Sequence, residues 1–337
     1  MKKVIALTLS LVFLWFVSNP QSVYADTNNK LKTNPINIAF CFDENYWMQA
    51  GVTITSLLCT AEEKCCYNIY CVVPASMNQT KKNILKAQVK KYSPLSMINF
   101  LTVTNQLDGV ESARRRALCY RLLLPNLLPD LDKIIYTDID LIFNDDLQEL
   151  DKIDVSKYYV AGVGEFDKNT KNLRRKIRKL YSEYGLCDII NKGQYINSGV
   201  LILNLKKIRQ DNMDKKWFEL INMDFPYIDQ DIINITCADN ILFLPLYYNL
   251  NNDNNNSARI IHYAASGKPW EINSRIGSEL WWYYAGQTPF VNCFLKNVMQ
   301  KQYEGRFKVL PKWVSRVFCW FIPKKEARHQ FLRKYMV

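Results

Sequence analysis

Tyr136-Thr137-Asp138-Ile139-Asp140 sets two carboxylates two residues apart, directly after a short apolar run. In extended chain that spacing turns both side chains to one side and sends Ile139 back toward the interior. Two carboxylates aimed at one point beside the carboxyl end of a strand suit a divalent cation. An acidic turn after a strand is also a common solvated feature, so the triplet alone leaves both readings open. A second segment, His262-Tyr263-Ala264-Ala265-Ser266-Gly267-Lys268-Pro269-Trp270, holds one of the two histidines in the chain. It can offer an imidazole ligand, backbone donors in a small-residue loop, and a lysine for phosphate. A lone histidine beside an apolar strand is more often a satisfied core residue, and only the combination points to a site.

The elements that must position these groups alternate short β-rich runs with longer helical patterns, which predicts a mostly parallel sheet covered by helices. Strands are expected over 36–42, 68–73, 97–103, 134–137, 158–163, 195–205, 241–244 and 260–263. Helices are expected over 47–59, 78–91, 114–124, 214–223 and 229–238, the third stopped by Pro125. Residues 165–193 read as a charged insertion with little apolar content, of the kind that covers a site or carries specificity. Residues 249–257 read as an Asn-rich loop, and beyond Trp270 the chain turns aromatic and then basic.

Length and composition are those of a globular chain, with 337 residues, 48% hydrophobic and 23% charged. The net charge of +12 is not spread over the body. Residues 296–337 hold eleven Lys/Arg against two Glu, and Lys2 and Lys3 add two more positive charges, which leaves 4–295 near neutral. That argues against a basic groove across the fold and against nucleic acid as a partner. Residues 1–25 have the pattern of an export signal or an uncut signal-anchor, followed by a polar linker over 26–35. From Pro311 onward, Trp313, Phe318, Trp320 and Phe321 interleave with Lys312, Arg316, Lys324 and Lys325, the composition of a segment lying on anionic lipid. An ordinary packed C-terminal helix would read the same way. Among the ten cysteines, only the group Cys59, Cys65, Cys66 and Cys71 is a candidate disulfide knot, and its spacing does not suit structural zinc. Three Asn-x-Ser/Thr triplets begin at Asn78, Asn234 and Asn255.

Five ordered blocks resemble the bacterial family 8 glycosyltransferases, retaining enzymes that include lipopolysaccharide galactosyl- and glucosyltransferases. They are residues 38–46 (IAFCFDENY), 120–122 (YRL), 136–140 (YTDID), 195–200 (YINSGV) with 229–231 (DQD), and 262–270. The resemblance covers roughly 36–270. It implies a GT-A fold with a Rossmann-like sheet, a basic C-terminal extension over 271–337, and transfer of glucose or galactose from a UDP-sugar to a glycan or glycolipid acceptor with retention. A lipid-borne acceptor would explain a membrane-associated enzyme, though bacterial UDP-sugars are cytosolic and a cleaved signal would part enzyme from donor.

By the same resemblance, Asp138, Asp140 and His262 match the ligands of a Mn²⁺ that binds the diphosphate, a place Mg²⁺ can also take. Lys268 matches a diphosphate contact, Asp43 and Asn45 match contacts to uracil and ribose, and Arg121 matches a residue at the donor nucleotide. Asn197 matches a position near the donor sugar. Asp229 and Gln230 match the catalytic pair, with Gln230 beneath the anomeric carbon, and Glu165 matches an acidic acceptor-side position. One departure is Ala265, where the family usually has glycine; Gly267 follows two residues later. Two other readings use the same residues: a non-catalytic carbohydrate- or membrane-binding protein on a degenerate scaffold, and a nucleotidyltransferase that would release diphosphate instead of UDP.

Overall fold

The computed structural model describes residues 34–308, apart from 63–64, 111, 166–169, 172, 252–256, 265 and 272–276. The expected signal segment, most of the linker, Ala265, the Asn255 triplet and the basic tail from Pro311 lie outside the described residues.

The strands are β1 (Ile36–Cys41), β2 (Tyr67–Pro74), β3 (Met97–Val103), β4 (Ile134–Thr137), β5 (Leu141–Phe143), β6 (Val160–Gly164), β7 (Ile196–Leu203), β8 (Ile241–Leu244), β9 (Leu250–Asn251) and β10 (Ile260–His262). The helices are α1 (Trp47–Cys59), α2 (Gln79–Tyr92), α3 (Ala113–Cys119), α4 (Leu124–Leu127), α5 (Gln148–Asp151), α6 (Arg175–Glu183), α7 (Leu186–Asn191), α8 (Leu205–Gln210), α9 (Met213–Leu220), α10 (Ile228–Cys237), α11 (Glu279–Gly286) and α12 (Val291–Lys308). Seven strands form one sheet in the order β3-β2-β1-β4-β7-β6-β8, and β5-β10-β9 form a small second sheet. In the large sheet only β7 runs against the others, pairing antiparallel with both β4 and β6. The mostly parallel sheet with flanking helices is therefore present.

Two consequences position a site. The chain leaves β1 for β2 and β3 and then returns to β4 on the other side of β1, so a crevice opens at the carboxyl ends of β1 and β4. Because β7 is antiparallel, with Thr137 opposite Val200, its first residues lie at that same edge. Asn197 and Ser198 thus sit next to Asp138 although they begin their strand.

Side chains alternate into two cores, as strands buried on both faces require. Ile38 and Phe40 pack with Val52, Ile54 and Leu57 of α1 on one face. Ala39, Ile134 and Tyr136 pack with Leu122, Trp217 and Ile232 on the other.

Several expectations are corrected by packing. Pro125 does not stop the helix over 114–124: α3 tightens into a 3-10 turn at Tyr120–Leu123, and Pro125 then sits in the first turn of α4. A first-turn proline loses no hydrogen bond, because that N–H has no partner within the helix. The insertion over 165–193 is less polar in effect than in composition, since Tyr181, Leu186 and Ile190 are buried against the second core. All nine described cysteines are thiols, so Cys59, Cys65, Cys66 and Cys71 form no knot. Asn234 is fully buried and is no glycosylation site. Packing also continues past Trp270: Trp281, Phe290 and Phe294 join the first core, with the Phe290 ring 4.8 Å from that of Trp47 on α1.

Candidate active site

The acidic turn is built by three elements. After β4 the Asp138 N–H donates to the Gly199 carbonyl of β7 at 2.8 Å, which fixes the turn's entry. Ile139 is buried and the chain doubles back as β5. The Thr53 hydroxyl of α1 reaches the carbonyls of Ile139 and Leu141 at 2.7 and 2.9 Å, and Ser56 Oγ accepts from the Phe143 N–H at 3.1 Å. The helix thereby satisfies one edge of β5 and leaves the other for β10.

That second edge delivers the histidine. β10 pairs antiparallel with β5, His262 opposite Leu141, and the Tyr263 N–H donates to the Asp140 carbonyl at 2.8 Å. His262 Nε2 consequently lies 3.2 Å from Asp140 Oδ1 and 3.8 Å from Asp138 Oδ2. One ligand atom from each of Asp138, Asp140 and His262 falls within 4.8 Å of the others. Two carboxylate oxygens and an imidazole nitrogen suit Mn²⁺, with Mg²⁺ the harder alternative. The imidazole is also oriented for it: Nδ1 is engaged by Asn249 Oδ1 at 2.8 Å, which leaves Nε2 facing the carboxylates.

Opposed charges surround this corner. Lys268 Nζ bonds Asp140 Oδ2 and the Tyr263 carbonyl, the latter at 2.7 Å. Arg121 is buried, stacks on the Tyr136 ring at 4.4 Å, and pairs with Asp138 Oδ1 at 2.8 Å. Its Nε lies 3.0 Å from Asp229 Oδ2 as an ion pair, the N–H not being aimed along that line. Arg121 therefore joins the Asp138–Asp140–His262 corner to the Asp229–Gln230 pair. Burial would raise the Asp140 carboxyl, but His262 and Lys268 hold it well below the usual carboxylate range. Burial pulls the His262 imidazole down, and the Asp140 carboxylate outweighs it, so the imidazole sits above its ordinary value. Asp229 is pushed up to about 6, chiefly by burial, against the pull of Arg121.

Gln230 lies in a network of amide, phenol and carboxylate hydrogen bonds. Its Oε1 accepts from the Ser198 N–H at 2.9 Å, and its Nε2 donates to Glu165 Oε2 at 2.7 Å and the Tyr195 hydroxyl at 3.1 Å. The next residue of α10, Asp231, is fully buried and accepts from the Tyr181 and Tyr195 hydroxyls. Asn234 donates to the Ile196 carbonyl and accepts from its N–H, tying α10 to the start of β7.

A cleft of about 490 Å³ at the carboxyl ends of β1 and β4 is lined by Asp43, Tyr46, Arg121, Asp138, Asp140 and Lys268, among others. Of the sequence-predicted residues, His262 stands behind the two aspartates. Asp229, Gln230 and Glu165 form the adjoining network with Ser198, and Asn197 beside it bonds the Gly199 N–H and Asn249. Asn45 is exposed on the turn beside the cleft, its N–H held by Asp43 Oδ1 at 2.7 Å. Sequence reasoning missed Thr53, Ser198, Tyr195, Asp231 and Asn249. Tyr195, Ser198 and Asp231 stand inside the quoted blocks, whereas Asn249 is hidden at the head of an Asn-rich stretch.

A family model described as Glycosyl transferase family 8 matches residues 37–274. The chain is 25% identical over 287 residues to a putative glycosyltransferase of Haemophilus influenzae, covering 82% of each. It is 26% identical to a lipopolysaccharide 1,2-glucosyltransferase of Escherichia coli K12, covering 70% of this chain and 72% of that one. Among solved structures, the galactosyltransferase LgtC superposes with TM-score 0.62 at 22% identity, over 75% of this chain and 96% of that one. The bifunctional glycosyltransferase WbbM gives TM-score 0.67 at 19% identity over 80% of this chain, which spans about half, 53%, of its length. The architecture is the GT-A fold.

Proposed function

Because the chain belongs to glycosyl transferase family 8, we propose that it is a metal-dependent, retaining transferase that moves glucose or galactose from its UDP-sugar to a surface glycan, a lipopolysaccharide-type core being the favoured acceptor class. The observation that carries this reading is the meeting of Asp138, Asp140 and His262 within 4.8 Å of one another, beside a nucleotide-sized cleft.

A nucleoside diphosphate leaves a sugar carbon readily only when the charge growing on its outer phosphate is neutralised. A bound divalent cation supplies that neutralisation as a Lewis acid. Lys268, now on Asp140, is placed to take a phosphate oxygen instead where a cation would hold that carboxylate. Asp43 and Tyr46 line the end of the cleft that the base and ribose would fill. Arg121, largely buried in the wall of the cleft, pairs with both Asp138 and Asp229 and keeps them in place.

Retention requires either a covalent intermediate or attack from the face that the phosphate leaves. The Gln230 amide has its oxygen on the Ser198 N–H and its nitrogen on Glu165 and Tyr195. An amide oxygen is a weak nucleophile, and one already accepting a backbone hydrogen bond is weaker still. This favours front-face transfer, in which Gln230 places its dipole near the cationic sugar and the departing phosphate oxygen takes the acceptor's proton. Glu165, bonded to the same amide, is positioned to orient the acceptor hydroxyl.

The tail over 311–337 is proposed to hold the enzyme at an anionic membrane. Flotation of the full chain with phosphatidylglycerol vesicles, lost on removing 311–337, is the expected result; equal flotation of both forms would refute it. Turnover is tested by a UDP-sugar panel with Mn²⁺, followed by NMR of the product's anomeric proton. An α-linked product from an α-donor is expected. A β-linkage, or release of diphosphate in place of UDP, would overturn the reading.

A further inference from the structure

We propose that Asn249 is a positioning residue that sets the hydrogen-bond polarity of two functional side chains at once, the imidazole of His262 and the amide of Asn197. The inference rests on the reading above, in which His262 ligates the cation and Asn197 faces the donor sugar.

The polarity follows from one backbone group. The Gly199 N–H can only donate, and at 2.8 Å its acceptor is Asn197 Oδ1. The same oxygen receives Asn249 Nδ2 at 2.9 Å, so that end of the Asn249 amide must be its nitrogen. Asn249 Oδ1 is then left as an acceptor, and it meets His262 Nδ1 at 2.8 Å. An acceptor there requires the hydrogen on Nδ1, which leaves Nε2 as the nitrogen with a lone pair for the cation. At the other end, Asn197 has its oxygen engaged twice and keeps its two Nδ2 hydrogens for a hydroxyl of the sugar.

Asn249 is itself held firmly. It is 6% exposed, and it sits between the 3-10 turn Leu246–Tyr248 and β9. β9 pairs in parallel with β10, Asn251 lying opposite His262. A stretch that reads as a polar loop therefore supplies the strand edge beside the ligand. Threonine or serine at 249 could not span both partners, because the task needs one acceptor and one donor held in a plane about 2.3 Å apart, as in a carboxamide.

Two variants separate the arms. Asn249→Ala removes both bonds. Mn²⁺ binding, followed without donor by the electron paramagnetic resonance signal of the free ion, is expected to weaken about 10- to 100-fold. Asn249→Asp keeps an acceptor for Nδ1–H but sets an oxygen against Asn197 Oδ1. It should bind Mn²⁺ within about threefold of wild type. Its preference for UDP-glucose over UDP, by calorimetry with Mn²⁺ present, should fall about tenfold, the worth of one lost hydrogen bond. A purely structural role would lower the melting temperature of both variants without splitting the two affinities. Mn²⁺ affinity in Asn249→Ala within about twofold of wild type, or equal losses in Asn249→Asp and Asn249→Ala, would overturn the inference. Failure of the wild-type chain to bind Mn²⁺ at all would sink the functional reading and this inference together, whereas wild-type binding with unaffected variants sinks this inference alone.

Discussion

The corner made by β4, β5 and β10 is held by opposed charges, whereas the amide corner, made by β7 and α10, is held by hydrogen bonds from amides and phenols, two of its acceptors being the carboxylates of Glu165 and Asp231. In the first, Lys268 rests on Asp140 Oδ2 and Arg121 on Asp138 Oδ1, while the other oxygen of each carboxylate faces His262 Nε2. In the second, Gln230, Asp231 and Asn234 have their polar atoms matched by Ser198, Glu165, Tyr181, Tyr195 and Ile196. The difference separates groups that a ligand must rearrange from groups that are already in place. Charges without the ligand are placeholders, and buried amides with full partners are preorganised.

The largest effect expected from that contrast is on turnover. Asp140→Ala and Asp138→Ala should each lower Mn²⁺-dependent UDP release on the order of 10³-fold while circular dichroism stays that of the wild type. Full activity in either variant would break the assignment of the charged corner.

Gly199→Ala probes the seam between the two. An added Cβ would lie 2.2 Å from His262 Cε1 and 2.9 Å from Asn197 Oδ1, with no room for the ring to stay. The variant should lose about 1–3 kcal/mol of stability by overpacking and bind Mn²⁺ at least about tenfold more weakly. Unchanged metal affinity would mean that the imidazole is not held against this strand.

Tyr181→Phe acts on the amide corner alone. It removes one phenol from the fully buried Asp231 carboxylate, and about 1–3 kcal/mol of stability should go with it in denaturant unfolding, with Mn²⁺ affinity intact. A parallel loss of metal affinity would show that the two corners are not separable.

The smallest effect is a pH dependence. His262 titrates above its ordinary value because of Asp140, so the metal-free protein gains stability from the protonated imidazole below about pH 6.5 and loses it as pH rises through the raised value. Without metal, the melting temperature should drop across that window. Mn²⁺ affinity should move the other way and rise with pH, since Nε2 must give up its proton to bind. Affinity independent of pH between 6 and 8 would contradict a role for the imidazole.

Much of this site was legible because it follows buried strands. Asp138 and Asp140 follow β4, and Gln230 opens an amphipathic helix whose expected start at 229 is one residue from the observed one. What stayed hidden was set by distant partners. β5 is three residues long and exists because α1 and β10 satisfy its two edges. The reversed direction of β7 leaves no mark in its apolar run, which reads alike in either orientation. α8 is not expected from the sequence, the strand being read as far as 205, though Asn204 caps that helix by accepting the Lys207 N–H. α11 and α12 follow a change in composition, and only the burial of Trp281 reveals that the core extends to them.

The central claim is that three side chains, two of them more than a hundred residues from the third, ligate a single ion. Pulsed electron paramagnetic resonance of Mn²⁺ bound to the wild-type chain tests it most directly. One equivalent of bound ion with nitrogen-14 coupling from an imidazole, abolished in His262→Ala, is the result predicted here; bound Mn²⁺ without that coupling would contradict it.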